Sequence, residues 1–306
     1  MIRRFIDRIF SASPKQKKLI HGHQVTPKKI AKRSHHINPD LLSKNAVKVT
    51  AVLQEAGYDA YIVGGAVRDL LLGIAPKDFD VATDATPEEV QKLFRRSRVI
   101  GRRFQIVHVT FYGKDRPEII EVSTFRAHVQ ADEAHVAASG RILRDNVWGS
   151  QAEDATRRDF TINAMYYDPH TETVLDYHGG MQDIEAKTIR MIGEPTQRYR
   201  EDPVRMLRAI RFAAKTGFTI EPKTRAPLEQ LANLIQDVPS ARLFDEILKL
   251  LMSGHAWSSI SQLQAAGLHH KILPLIDEIT SHEDRLTFVK KSLENTDNRI
   301  KSGKPV

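Results

Sequence analysis

The chain has 306 residues with 46 Lys and Arg, 38 Asp and Glu and no cysteine, giving a net charge of +8 at pH 7. That length suffices for two or three packed units, the missing cysteine excludes structural disulfides and thiolate metal sites, and no apolar run is long enough to cross a bilayer. The excess charge is local: residues 1–48 carry 12 Lys and Arg against 2 acids, a net +10, and the remainder carries 34 against 36, a net −2.

In chain order, Ile2, Phe5, Ile6, Ile9 and Phe10 recur at helical spacing opposite Arg3, Arg4 and Arg8, which predicts a basic amphipathic helix. Such a segment suits weak docking on an anionic membrane or on a partner protein better than import into an organelle. Residues 1–40, with His21, His23, His35 and His36 interspersed, have the composition of a flexible basic arm that releases counterions from a polyanion, and RNA is the natural one.

A helix is predicted from Leu41 to Ala56, stopped by Gly57, and Tyr61 to Val63 read as a strand. Gly64 and Gly65 then make a tight turn into a short helix, Ala66 to Leu72, whose free N–H groups and dipole favour an anion, with Arg68 on its first turn as a charged donor and Gly73 as its stop. Asp78 and Asp80 follow at a two-residue spacing that, in a strand, turns both carboxylates to one face where they share divalent cations. Taken singly, a Gly-Gly turn and an Asp-x-Asp pair are common on ordinary protein surfaces. Together, an anion cradle and paired acids in one strand, helix, strand unit are what a Mg-nucleoside triphosphate requires.

Thr86, Pro87, Glu88 and Glu89 predict a capped helix over Pro87 to Phe94. Gln105 to Phe111 and Ile119 to Phe125 alternate as strands around a turn at Gly113 to Pro117, completing a small mixed sheet with helices on one side. Residues 127–150 read as a mobile loop leaving that sheet. From Ile184 onward the pattern is helical, with helices over Asp202 to Ala214, Ala226 to Gln236 and Ala241 to Met252. The histidines lack metal-ligand spacing, so none is assigned to zinc.

Four blocks, Val63 to Thr83, Val99 to Val109 (VIGRRFQIVHV), Arg157 to Met165 (RRDFTINAM) and Glu201 to Phe212 (EDPVRMLRAIRF), carry a resemblance to the class II nucleotidyltransferases of the polymerase-beta superfamily. That family contains bacterial poly(A) polymerases and CCA-adding tRNA nucleotidyltransferases, and the resemblance spans about Asn45 to Gly254. Arg102, Arg103 and His108 in GRRFQIVHV, with Arg144 to Gly149 (RDNVWG), resemble the poly(A) polymerase version. The resemblance implies an α+β fold: a polymerase-beta-like head over residues 41–180, an all-helical neck that recognises the base over 181–255, and a partial helical RNA-binding body over 256–306. Family members continue well beyond Val306, which leads to the expectation of a shortened body.

The implied activity is template-independent addition of AMP from ATP to RNA 3′ ends with release of pyrophosphate, in the cytoplasm, using two Mg2+ ions with Mn2+ as a substitute. Asp159 in RRDFTINAM is implied as catalytic with Asp78 and Asp80, although its position beside Arg157 and Arg158 also suits an ion pair. Glu121, alternating with Ile119 and Ser123, is the third metal ligand that strand geometry favours, and Arg158 is implied at phosphate or sugar. Asp202 and Arg205, three residues apart, place an acceptor beside a donor; adenine and cytosine match that order on their pairing edges, and uracil and guanine do not. Arg208 and Arg211 continue along the helix toward the triphosphate, opposite an apolar stripe of Val204, Leu207, Ile210 and Ala214. Two other readings stay open: CCA addition, since the Asp202 and Arg205 pair cannot separate A from C, and a non-catalytic RNA-binding module, given the basic arm and shortened body.

Overall fold

The structure is a computed structural model that describes residues 26–101, 105–113, 116–127, 147–272, 278–279, 282–304 and 306. Its centre is an eight-stranded sheet of order β1-β8-β7-β2-β3-β6-β5-β4. The strands are β1 Lys28–Ala31, β2 Ala60–Val63, β3 Asp80–Thr83, β4 Ser97–Ile100, β5 Ile106–Phe111, β6 Glu118–Thr124, β7 Met165–Asp168 and β8 Thr173–Asp176. β3 and β6 run parallel, and the other neighbours are antiparallel.

Local signals set the helices that flank this sheet. α1, Lys44–Glu55, starts where Ser43 Oγ accepts the N–H groups of Asn45 and Ala46, and buries Ala46, Val49 and Leu53 at helical spacing. α2, Gly65–Leu71, follows β2 directly. α3, Pro87–Leu93, carries the full capping box between Thr86 and Glu89 that its sequence predicts. All three pack on one face of the sheet, where Ile62, Val81, Val107, Ile120 and Val122 alternate inward. The opposite face holds a second cluster of Val63, Ala82, Phe125, Tyr166 and Leu175, covered by Ala155 of α4, Gln151–Arg157.

Beyond the sheet come α5 Gly180–Glu185, α6 Pro195–Glu201, α7 Val204–Thr216, α8 Ser240–Leu251, α9 Ala256–Ala265 and α10 Glu283–Lys301. The α7 stripe of Val204, Leu207, Ile210 and Ala214 is buried, as its period demands.

Four expectations are corrected by these elements. Lys28 to His35, read as part of a flexible arm, form β1 and a four-residue helix; Lys28 pairs with Asp176 and Ala31 with Thr173, so the sheet gains an edge from a strand too basic and too short to be recognised alone. The sheet is not small, because β7 and β8 add two strands that the sequence pattern did not announce. The neck is not wholly helical, since Thr188 and Ile189 pair in parallel with Thr219 and Ile220. The helix expected over Ala226 to Gln236 is a short helix, Leu228–Leu231, followed by a 3-10 segment, Ala232–Asp237. Residues 1–25, Arg102, Arg103, Arg144 and most of the 127–150 loop lie outside the described residues. Among the described residues no helix is long and apolar enough to cross a membrane.

Candidate active site

The β2–α2 turn, the start of β3, α7 and α8 surround a cavity of about 570 Å³, a size suited to a small-molecule ligand. Its floor is the β2–α2 turn. Gly64 sits at φ 76° and ψ −136°, a conformation that L side chains rarely adopt, and a Cβ there would lie 3.7 Å from Arg158 Nη1 and 3.8 Å from Asp80 Oδ2. Gly64→Ala is therefore expected to combine roughly 1–3 kcal/mol of backbone strain with loss of the space between Asp80 and Arg158. Thermal melting and a single-turnover nucleotide-transfer assay would check both, and transfer at the unmodified rate would contradict the assignment.

Asp78 lies in the bend before β3 and Asp80 is the first residue of that strand; Phe79 between them is buried on the other side, so both carboxylates face the cavity. In the parallel register Asp80 lies opposite Glu121, and His108 Nε2 stands 3.3 Å from Glu121 Oε1. Asp80 is exposed at the cavity surface, with Arg158 and Glu121 close to its carboxylate. Its carboxyl is pushed up to about 6, first by lost hydration and then by the Glu121 charge, with Arg158 pulling the other way. Crowded, hard oxygen donors of this kind fit a divalent cation. Among the described residues no three acidic or His side chains already converge as a complete ligand set. That is normal for Mg2+, which takes one or two carboxylates and completes its shell with water and substrate phosphates.

The side wall is built by α4 and the chain after it. Asp154, buried beneath the cavity, accepts Arg157 Nε at 2.9 Å, Arg158 Nη2 at 2.9 Å and the Tyr166 hydroxyl at 2.7 Å. Burial alone would raise its pKa; the Arg158 and Arg157 charges overcome that and hold the carboxyl well below the usual range. Arg158 is thereby fixed with Nη1 toward Gly64.

The far wall is α7 and α8. Arg208 Nε donates to Asp159 Oδ2 at 2.6 Å, and Arg211 Nε to Glu246 Oε2 at 3.2 Å. The Phe212 ring lies beneath three guanidinium groups, with Arg211 Cζ at 4.5 Å and those of Arg68 and Arg208 at 5.1 Å.

Gly64, Gly65, Arg68, Asp78, Asp80, Arg158, Asp159, Asp202, Arg205, Arg208 and Arg211 all line this one cavity; Glu121 stands beside it, across from Asp80. Three roles change in detail. Arg68 is buried and gives three of its five donors to Asp69 Oδ1, at 2.8 and 2.7 Å, and to Asn163 Oδ1, at 2.7 Å, which braces the cradle while the side chain still lines the cavity. Asp159 pairs with Arg208 and not with Arg157 or Arg158; its other oxygen accepts the Phe160 N–H at 2.8 Å, which ties the chain after α4 to α7. Asp202 is held by Arg242, at 2.9 and 2.7 Å, while Arg205 Nη1 donates to the Arg198 carbonyl at 2.9 Å and to Glu201 at 3.1 Å. The pair predicted from spacing shares the cavity, but each member is oriented by a different partner.

Arg242 and Glu246 were not found from the sequence, although they fall four apart on one face of α8, a spacing that marks a shared surface. Asp154 also escaped, its only local mark being the Ser150 and Glu153 capping box beside it.

Residues 60–190 match the family model "Poly A polymerase head domain", and residues 217–280 match "Probable RNA and SrmB- binding site of polymerase A". The chain is 50% identical over 281 residues to poly(A) polymerase I of Salmonella typhi, an alignment covering 89% of this chain and 60% of that protein. The chain belongs to the nucleotidyltransferase family of poly(A) polymerases and CCA-adding enzymes. Within that family the chain is 37% identical over 244 residues to the CCA-adding enzyme of Bacillus pumilus, covering 80% of this chain and 58% of the relative. Among solved structures it resembles the Bacillus stearothermophilus CCA-adding enzyme in complex with CTP, with a TM-score of 0.62, 36% identity and coverage of 76% of this chain and 53% of that one. The Thermotoga maritima CCA-adding enzyme complexed with tRNA gives a TM-score of 0.60 at 26% identity, covering 78% of this chain and 53% of that one. The chain thus spans about 60% of the length of the curated relatives it matches.

Proposed function

We propose that this chain carries the adenylyl-transfer site of a template-independent RNA 3′-end polymerase, joining AMP from ATP to a 3′-hydroxyl and releasing pyrophosphate. The observation that carries the reading is the single cavity in which a Gly64-Gly65 turn, Asp78, Asp80 and the Asp202 and Arg205 helix face one another. The 50% identity to poly(A) polymerase I, against 37% to CCA-adding enzymes, supports ATP as the substrate.

In this reading the turn offers backbone N–H groups to the triphosphate, and Arg158, fixed by Asp154, adds a charged donor. Asp78 and Asp80, with Glu121 beside them, hold Mg2+, for which Mn2+ substitutes. When bound, the ions lower the pKa of the attacking hydroxyl and neutralise the departing pyrophosphate. Asp202 accepts the adenine 6-amino group, and Arg205 donates to N1. A carboxylate has about four acceptor positions, so Asp202 serves the base while still bound to Arg242. Uracil or guanine would leave a buried group unpaired, at about 1–3 kcal/mol.

Arg242→Ala would let Asp202 swing away from that edge. The expected result is a five- to tenfold loss of ATP over GTP discrimination, about 1–1.4 kcal/mol, read as a ratio of kcat/KM values. Discrimination equal to that of the unaltered protein would remove Arg242 from the base-reading site.

The direct test incubates the purified chain with Mg2+, a short unstructured RNA and each nucleoside triphosphate in turn. A long ladder with ATP alone is the expected product. Addition of CTP followed by ATP and a stop after three nucleotides would instead assign CCA addition. RNA binding with no extension by any nucleotide would leave a binding module.

A further inference from the structure

A second cavity of about 640 Å³ opens on the helix side of the sheet, between α1, α3 and the end of β5. Its floor is apolar, formed by Val52, Phe94, Val109 and Phe111, and its rim is basic, with Lys48, Arg95, Arg96 and Arg116. Glu118 is the one carboxylate among the described lining residues, and both its oxygens are occupied, Oε1 by Ser43 Oγ and Oε2 by Asn45 Nδ2. The four cations therefore outnumber the one carboxylate of the described lining, which leaves the rim net positive. Tyr112 stands at the mouth 70% exposed, an unusual state for a large aromatic side chain, and the Arg96 guanidinium lies over its ring at 5.1 Å. A stacking ring, an apolar floor and a cationic rim are the combination that holds single-stranded nucleic acid: bases on the ring and floor, phosphates on the rim.

The cavity's position links it to the active site. Along β5, His108 sits beside Glu121, which pairs with Asp80, and Tyr112 lies four residues further on, just past the end of the strand; Val109 and Phe111, which floor the cavity, point to the other face of the sheet from His108, so an RNA strand joining the two sites passes round the end of β5. The rise from His108 to Tyr112 is about 14 Å at ~3.4 Å per strand residue, so a strand rounding the sheet end would place at least about four stacked nucleotides between the two sites.

We propose that this cavity, with Tyr112, Arg95 and Arg96 at its mouth, is a docking site for the single-stranded RNA just upstream of the 3′ end being extended. The proposal rests on the reading of the chain as an RNA 3′-end polymerase. It adds to that reading a site on the head, apart from neck and body, that keeps the growing strand attached between additions.

The test compares the unaltered chain with Tyr112→Ala and with the double variant Arg95→Ala/Arg96→Ala, all exposed positions whose truncation leaves the core intact. Fluorescein-labelled A20 RNA is titrated without nucleotide across a range of salt. Separately, one addition of 3′-deoxy-ATP is timed on A3 and on A20. Each variant is expected to weaken A20 binding about tenfold, the double variant to flatten the logarithmic salt slope by about 1.4, and the rate defect to be several-fold larger on A20 than on A3. Unaltered affinity and salt slope on A20 would overturn the proposal, as would equal rate defects on both primers. Tyr112 fluorescence or protection that responds to free AMP but not to A20 would also overturn it, in favour of a mononucleotide site. The binding arm needs neither ATP nor metal, so a chain that binds A20 as described but extends nothing would refute the polymerase reading and leave the docking site standing.

Discussion

Asp80→Asn is expected to lower single-turnover nucleotide transfer by about a thousandfold or more while leaving the fold as stable as before, or more so. A lost metal-holding carboxylate removes several kcal/mol of charge stabilisation from the transition state, and each 1.36 kcal/mol is tenfold in rate. The stability half of the prediction follows from the raised carboxyl. Its pKa moves from 3.8 to about 6 on folding, so the folded protein holds that proton more tightly than the unfolded chain. The associated stability is present below about pH 4 and is lost as pH rises through 6. At pH 7 the charged side chain works against folding, and the neutral Asn relieves it. Melting at pH 7 together with a rapid-quench transfer assay checks both halves. A marked fall in melting temperature would show that Asp80 is a structural group, and retained transfer would remove it from the site.

Asp154→Ala is expected to do the reverse, damaging the fold first and the chemistry in consequence. The carboxylate is buried under two guanidinium groups and a tyrosine hydroxyl, and its loss leaves Arg157, Arg158 and Tyr166 without their shared acceptor. Breaking one side of a buried ionic network costs about 3–5 kcal/mol, here a fall of roughly 10 °C in melting temperature. Because this carboxyl is held below its ordinary range, its contribution is present above about pH 4 and disappears as pH falls toward the folded-state value. The gap in stability between the unaltered chain and Asp154→Ala should therefore narrow on acidification. Tyr166→Phe, which removes one donor and spares the ion pairs, should cost only about 1–1.5 kcal/mol. A melting temperature for Asp154→Ala within a few degrees of the unaltered protein would mean that Arg158 finds another anchor, and transfer by that variant should then persist.

The two residues differ in how they announce themselves. Asp80 is legible because its chemistry is local: two acids two residues apart directly follow a glycine turn and a short helix, although only Asp80 lies in the strand and Asp78 reaches the same cavity from the bend before it. The same locality made the Thr86 and Glu89 capping box and the buried stripe of α7 readable. Asp154 meets Tyr166 twelve residues later, and nothing in the intervening sequence says that the chain returns.

The sequence by itself determined the elements whose hydrogen bonds or side-chain period close within a few residues: the cradle turn, the paired aspartates, the capped helix after them and the amphipathic α7. Tertiary structure alone decided the distant partners of the charged groups, beside local pairs such as Arg68 with Asp69 and Arg158 with Asp154. Arg68 went to Asn163, 95 residues away; Asp159 to Arg208, 49 away; and Asp202 to Arg242, 40 away. The same holds for the basic segment Lys28–Ala31, which became an edge strand because β8 offered it unpaired backbone groups. A buried charge takes whichever opposite charge the fold brings within reach, since leaving it unpaired costs several kcal/mol. An edge strand likewise forms wherever a neighbour's N–H and C=O groups stand open. Neither choice is made until distant parts of the chain have met.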